Sequence, residues 1–292
     1  MTEHTGRTYV VTGTDSGIGA VLATRLEASG ARVIRCGIGE AADVRADLTT
    51  PEGRGSTVEQ VRSLAPAGID GVALVAGSGN ADVAVRLNYF STVALLSTLR
   101  DDLARAPRPR AVVVSSSSSL SAGDADLVDA CLADDERRAV AIAGSLVARG
   151  RGTVVYRSTK IALNRWLRRT SVDDDWAGAG ILLNAVAPGI VETEAARRGV
   201  LADPANARVL QDALPQPLGM PGPVEPVAAA IAWLLSPDAG FTTGQVHFVD
   251  GGAEAVLRGE APFATGVRYG PLRMVRMIAW TVIGRLRALR AR

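Results

Sequence analysis

A glycine cluster, TGTDSGIG (Thr12–Gly19), joins an apolar β-type run, Thr8–Thr12, to an amphipathic helical pattern that ends near Gly30. Few local arrangements restrict a chain more. Gly13 permits a tight turn off the strand, Gly17 lets the backbone come close to a ligand, and Gly19 lets the helix pack tightly on the strand. The helix then opens with unpaired N–H groups and the positive end of its dipole, a ready seat for a pyrophosphate. Asp15, Ser16 and Ile18 complete the turn. The spacing, Gly-x3-Gly-x-Gly, differs from the commoner Gly-x-Gly-x2-Gly, and such a cluster alone is as often a purely structural turn. The strand before it and the helix after it give it weight.

The same alternation continues along the chain. Strand-like apolar runs occur at Arg32–Cys36, Gly71–Val75, Ala111–Ser115, Ile181–Ala187 and Val246–Val249, with a shorter one at Val44–Leu48. Helical patterns separate them, among them Val83–Ala104, Val154–Ser171 and Val224–Leu235. Strand alternating with helix predicts an α/β fold: a single Rossmann-like domain with a doubly wound parallel β-sheet and helices on both faces. Runs that are apolar throughout fit strands buried on both sides. The domain spans 7–252. It includes a charged, Ala-rich helical insert at 124–149 and a segment at 194–222, rich in Ala, Leu and Pro, that reads as a mobile lid over an apolar substrate.

Charge and residue usage exclude several classes. The net charge of +2 conceals eight Arg and one Glu after Val256, a local balance of +7, so the remainder carries −5 and does not resemble a nucleic-acid binder. His4 and His247 stand far apart without Cys partners, so no metal site is expected. Cys36 and Cys131 cannot make a disulfide framework and read as two reduced, buried thiols. The N-terminal MTEHTGRTYVVTG has no apolar signal core, which predicts a cytoplasmic protein. One compositional fact points to chemistry: among 32 basic residues, Lys160 is the only lysine. Arginine serves wherever a charge merely needs solvating, so a lone lysine marks a task that a guanidinium cannot perform.

Lys160 closes YRSTK, Tyr156–Lys160, on a strong helical pattern, so phenol and ammonium share a face at i and i+4. A free phenol titrates near ~10. A cation ~4 Å away at an effective dielectric of ~20 contributes about 4 kcal/mol, enough to bring Tyr156 down by up to about three units, toward the useful range for proton transfer. Ser116 ends a strand run on the carboxyl edge of the sheet, where its hydroxyl can hold a substrate oxygen opposite Tyr156. Asn88, in RLNYF, sits mid-helix as an ordinary polar residue or as a backbone or water contact relaying protons toward Lys160.

For the cofactor, Asp47, preceding Leu48, is placed to accept from an adenine amino group, or is an ordinary surface acid. Ala76 and Gly77 close the fourth run and leave room for a ribose. An NAD enzyme usually carries an acid at the end of its second strand to accept the ribose 2′-OH. Here Gly37 holds that position, and Arg35 lies on the same strand face two residues earlier. The missing acid and nearby Arg lean toward NADP(H), with Glu40 as an acid that would serve NAD(H).

Taken in order, TGTDSGIG, VAGSG, NYF, VVVSSSS, YRSTK, NAVAPGIVET and GQVHFVDGG make the chain resemble the short-chain dehydrogenase/reductase family over roughly residues 7–252. ADLTTPEGR, RLNYFST, the insert before YRSTK and the VDGGAEAVLR ending are similar to its 3α-hydroxysteroid dehydrogenase/carbonyl reductase type, although Gly37 departs from the acid usual there. The resemblance implies an NAD(P)(H)-dependent enzyme interconverting a carbonyl and an alcohol, on a hydrophobic, steroid-like substrate. It implies a catalytic set of Asn88, Ser116, Tyr156 and Lys160, with Lys160 also holding the nicotinamide ribose. Pro188, Gly189, Ile190 and Thr193 would border the carboxamide. Family members often pair through long helices beside the tyrosine helix, where the insert would obstruct one face, so a homodimer is expected. Two rivals stand beside this reading: a catalytically silent dinucleotide-binding scaffold, and a Rossmann-like methyltransferase, in which Tyr156, Lys160 and PGIVET have no evident role.

The extension at 253–292 lies outside the resemblance. From Pro271 it reads as a basic amphipathic helix with Leu272, Val275, Ala279, Val282, Leu286 and Leu289 on one face. Its longest uncharged stretch, Met277–Gly284, is far short of the ~20 residues that span a bilayer. The apolar face either docks on protein or makes peripheral contact with an anionic membrane surface.

Overall fold

In a computed structural model the structure describes residues 4–290. The side chains at 286 and 288–290 lie outside that description, as does Arg292, so Leu286 and Leu289 of the predicted apolar face are not placed. The chain divides into two compact units, one running up to Leu257 and the other from Arg258 onward.

The first unit is the predicted α/β domain. Its strands are β1 (Thr8–Thr12), β2 (Arg32–Gly37), β3 (Val44–Arg45), β4 (Gly71–Leu74), β5 (Arg110–Val114), β6 (Leu182–Pro188) and β7 (Val246–Val249). They pair in parallel throughout, in the order β3-β2-β1-β4-β5-β6-β7. The order reverses between β1 and β4, and open sheets of this kind bind ligands at the carboxyl ends beside such a reversal. The third strand is shorter than the predicted Val44–Leu48. Past Arg45 the chain turns: Asp47 accepts from the Thr49 N–H and hydroxyl, and Thr50 caps the next helix by accepting from the Gly53 N–H at 3.0 Å.

Both faces of the sheet are buried, which explains the uninterrupted apolar runs. Val10, Ile34, Val72 and Val113 face one cluster, while Tyr9, Val11, Ala73 and Val112 face the other. The second cluster is closed by α1 (Gly17–Ala28) and α10 (Glu225–Leu235), through Leu22, Leu26, Val227 and Ile231. Leu22 and Leu26 are one turn apart and fully buried, each contributing about 1.5–3 kcal/mol. The first cluster is closed by α2 (Pro51–Leu64), α4 (Thr92–Ala104) and α7 (Gly152–Thr170). Between β4 and α4 the chain runs through α3 (Ala81–Ala84) and a π-helical stretch, Val85–Ser91.

The insert forms α5 (Ala125–Leu132) and α6 (Glu136–Ala148), capped by Asp124 and Asp135. It is not peripheral to the core: Leu127, Val128, Cys131, Ala139 and Leu146 join the first cluster. Burial raises the thiols of Cys36 and Cys131 to about 12, so both remain inert thiols. The lid segment folds into α8 (Glu194–Arg198) and α9 (Pro204–Ala213), neither of which buries a residue. β7 is followed by α11 (Ala253–Arg258). The second unit contains α12 (Pro271–Arg290), and no described helix is long and apolar enough to cross a membrane.

Arg54 ties the insert to the loop after β3 and to the π-helical stretch. Its buried guanidinium meets both Glu136 carboxylate oxygens at 2.8 and 3.0 Å and donates to the carbonyls of Leu48, Thr49 and Arg86. Removing it leaves three carbonyls without this donor and leaves the Glu136 carboxylate with Arg86 alone, at 3.8 Å. Arg54→Ala is therefore expected to cost about 3 kcal/mol, seen as a fall in urea midpoint at unchanged slope. A loss within about 0.5 kcal/mol of zero would show that water replaces the guanidinium freely.

Candidate active site

The turn after β1 is held by close backbone contacts. A Cβ on Gly19 would lie 2.1 Å from the Gly13 carbonyl oxygen, with no flexible atom to move aside. That contact sets α1 against the turn. The helix begins after Ser16 without a side-chain cap and without an acid in its first turn, so its leading N–H groups are free for an anion. Ala76 follows β4 and packs on Gly13, and the Thr12 hydroxyl accepts from the N–H groups of Val75 and Ala76. Thr193, far along the chain, also reaches this turn: a Cβ on Gly17 would stand 3.2 Å from its methyl group. The glycine turn, Ala76 and Thr193 thus meet at one edge.

Ser116 lies two residues beyond β5, where it accepts from the Ser118 N–H at 3.1 Å and stands beside the Tyr156 phenol. Tyr156 is in the second turn of α7. Lys160, one turn later, is 3% exposed. Its Nζ lies 5.7 Å from the centre of the Tyr156 ring and donates to the Val114 carbonyl at 2.7 Å. Gly77 approaches both Asn88 and Lys160; a Cβ there would be 3.1 Å from Asn88 Oδ1 and 3.8 Å from Lys160 Nζ. Asn88 is fully buried in the π-helical stretch, a geometry frequent at functional sites. Its amide spans the backbone of Ser78, accepting from N–H at 2.8 Å and donating to C=O at 2.9 Å, and reaches Thr159 Oγ1 at 3.4 Å. Its side chain thus holds the chain after β4.

The electrostatics correct one expectation. Tyr156 is not lowered by its lysine. Burial raises the phenol above its ordinary value, opposed in part by the Ser116 hydroxyl. Burial also lowers Lys160 to about 8, because the ammonium has left water for a carbonyl and no carboxylate. A neutral phenol beside a serine hydroxyl can donate a proton to a carbonyl oxygen.

At the other end, Pro188 closes β6, and the Gly189 N–H donates to the Val249 carbonyl at 3.1 Å. Ile190 follows, and here a residue unseen in the sequence matters. Gln216, in the lid segment, accepts from the Ile190 N–H at 2.6 Å and donates to the carbonyls of Ile190 (3.3 Å) and Gly219 (3.1 Å). It pins the lid to the loop after β6. The same segment also carries Gln211, so the sequence gives no signal that singles out Gln216.

At the β2 end, the Arg35 guanidinium pairs with Glu27 on the surface, with Nε 2.8 Å and Nη2 2.7 Å from the two carboxylate oxygens. Asp47 is exposed, and its carboxyl is held below the usual range by the Thr49 hydroxyl and N–H. Leu48 is buried beside it, and Glu40 is exposed in the loop after β2.

Comparison with known proteins agrees with this geometry. A family model described as enoyl-(acyl carrier protein) reductase matches residues 13–254. A 3-alpha-hydroxysteroid dehydrogenase/carbonyl reductase of Comamonas testosteroni is 34% identical over 255 residues, covering 85% of this chain and 97% of that protein. A 3-oxoacyl-(acyl-carrier-protein) reductase of Escherichia coli is 28% identical over 251 residues, covering 85% and 97%. Among solved structures, a 3-alpha-hydroxysteroid dehydrogenase from Pseudomonas sp. B-0831, complexed with NADH, superposes with a TM-score of 0.80 at 39% identity, over 87% of this chain and 99% of that one.

The lowered lysine has a measurable consequence. Between about pH 8 and the ordinary lysine value near ~10.4, the unfolded chain keeps a proton that folded Lys160 has released, so this group adds stability as pH rises. Lys160→Met removes that dependence. The variant should therefore exceed the wild type in urea midpoint near pH ~7.5, with the gap narrowing toward pH ~10. A gap independent of pH would mean that the buried ammonium carries no penalty.

Proposed function

The chain belongs to the short-chain dehydrogenase/reductase family, and from that premise we propose that Tyr156, Ser116, Lys160 and Asn88 carry its chemistry on a hydrophobic, steroid-like ketone or alcohol. The protein is an NAD(P)(H)-dependent oxidoreductase that interconverts carbonyl and CH–OH groups. The observation that carries the residue assignment is the meeting of Tyr156, Ser116 and Lys160 at the carboxyl edge that also bears the uncapped α1 N-terminus.

A bound nicotinamide supplies or accepts the hydride. Ser116 holds the substrate oxygen and Tyr156 gives it a proton in reduction, or removes one in oxidation. Lys160 would hold the nicotinamide ribose, and the Ser116 hydroxyl beside Tyr156 eases the charge left on the phenol after the proton has gone. Asn88 keeps Ser78 and Gly77 in place beside Lys160. Gly13, Gly17 and Gly19 shape the phosphate seat, with Ser16 and Ile18 at its helix end. Asp47 and Leu48 border the adenine, Ala76 and Gly77 the ribose, and Pro188, Gly189, Ile190 and Thr193 the carboxamide. The lid supports an apolar substrate, since Val200, Val209 and Leu218 are exposed on it.

A lean toward NADP(H) loses its cation, because Glu27 occupies Arg35. Two free, buried thiols support a reducing, cytoplasmic setting. A homodimer is our reading of the assembly, because α5 and α6 occupy one flank of α7. The second unit is proposed to touch anionic membranes peripherally: Leu272, Val275, Trp280 and Val282 are exposed on a helix rich in Arg.

Absorbance at ~340 nm with NADH or NADPH and a panel of apolar ketones tests the activity. Tyr156→Phe should lower kcat by about a thousandfold or more while dinucleotide binding stays near normal. Lys160→Arg should lose at least about a hundredfold, because the larger planar head cannot occupy the buried site against Val114. Wild-type kcat in Tyr156→Phe would remove the phenol from the mechanism. For the tail, truncation after Leu257 should preserve activity and melting temperature but abolish salt-sensitive binding to anionic vesicles. A full-length protein that ignores such vesicles would end the membrane reading.

A further inference from the structure

The acid missing from the end of β2 is supplied from elsewhere. Asp15, in the glycine turn, lays its carboxylate across the start of the loop after Gly37. Oδ2 accepts from the Ile38 N–H at 2.9 Å, and Oδ1 accepts from the Gly39 N–H at 3.1 Å. A Cβ on Gly37 would lie 2.5 Å from both oxygens, and one on Gly39 would lie 2.7 Å from Oδ1. The carboxylate therefore fills the space that a side chain at position 37 would occupy. Neither glycine has a positive φ. Their requirement is for room, and Asp15 takes that room.

We infer that Asp15 is the residue that selects NAD(H) over NADP(H), doing from the first turn what an acid on β2 does in other dinucleotide folds. The inference rests on the dinucleotide reading above. Each oxygen of Asp15 uses one lone pair on a backbone N–H and keeps another to accept from a ribose hydroxyl. The residue is exposed at the carboxyl edge of the sheet, where the dinucleotide would lie. A 2′-phosphate brought to the same place has no hydroxyl to donate and meets a like charge. Two arginines share the strand face of Gly37. Arg35 is paired with Glu27. Arg45, exposed and in register with Gly37 on β3, is the rival group that would favour a 2′-phosphate.

Calorimetric titration with ADP-ribose, 2′-phospho-ADP-ribose, NADH and NADPH tests this without turnover. The wild type should bind ADP-ribose about thirtyfold more tightly than its 2′-phosphate, as expected for one exposed carboxylate acting on a dianion. Asp15→Asn keeps an acceptor for one of the two loop N–H groups and should reduce that ratio at least about tenfold, while the ligand-free chain loses no more than about 1 kcal/mol of stability for the bond given up. Gly37→Ala places a methyl group where the carboxylate lies and should reduce it as well. The double variant Asp15→Ser/Gly37→Asp moves the acid to β2 and should restore the preference for ADP-ribose. A ratio unaltered in Asp15→Asn would overturn the assignment while leaving the oxidoreductase intact. A wild type that prefers the 2′-phosphate would overturn it in favour of Arg45. Failure of all four ligands to bind would instead remove the dinucleotide reading on which it stands.

Discussion

The contact between Gly19 and the Gly13 carbonyl is the constraint on which the rest depends. Two backbone segments meet where no side-chain atom fits, so the first helix must start at the carboxyl end of β1 and point its free N–H groups outward. Parallel pairing then brings the ends of β4, β5 and β6 to the same edge. Residues far apart in the chain become neighbours there because each strand ends at that edge, and not because any of them attracts another.

That edge carries its polar groups at some cost. Lys160 gives up water for one carbonyl, and Asn88 is fully buried with its amide spent on Ser78. Both groups hold the chain in place before any ligand arrives, which leaves less reorganisation for binding. The segment at 194–222 is different in kind. Its two helices bury no residue, and it is held through the buried Leu214 and the polar tie of Gln216 to Ile190.

How far these features were legible in the sequence depended on the range of the interaction. The strands were readable because burial on both faces leaves an unbroken apolar run. The third strand was overestimated, since Val44–Leu48 has the same look, yet Asp47, Thr49 and Thr50 turn the chain to cap α2. The stretch around Asn88 read as plain helix because a π-helical widening leaves the polar pattern unchanged. Gln216 gave almost no signal, as its partners are backbone groups on other parts of the chain.

The sequence by itself determined the fold class, the glycine turn that opens the first helix and the pairing of Tyr156 with Lys160 on one helix face. Each of these follows from local geometry: a glycine spacing, a strand period, an i and i+4 relation. Only the tertiary structure decided which groups pair with which around that edge. It put the Asp15 carboxylate over Gly37 and gave Arg35 to Glu27, although both were in plain view in the sequence. It also set the direction of the Tyr156 and Lys160 shifts, because desolvation is summed over every atom that packs around a group, and those atoms come from the whole chain.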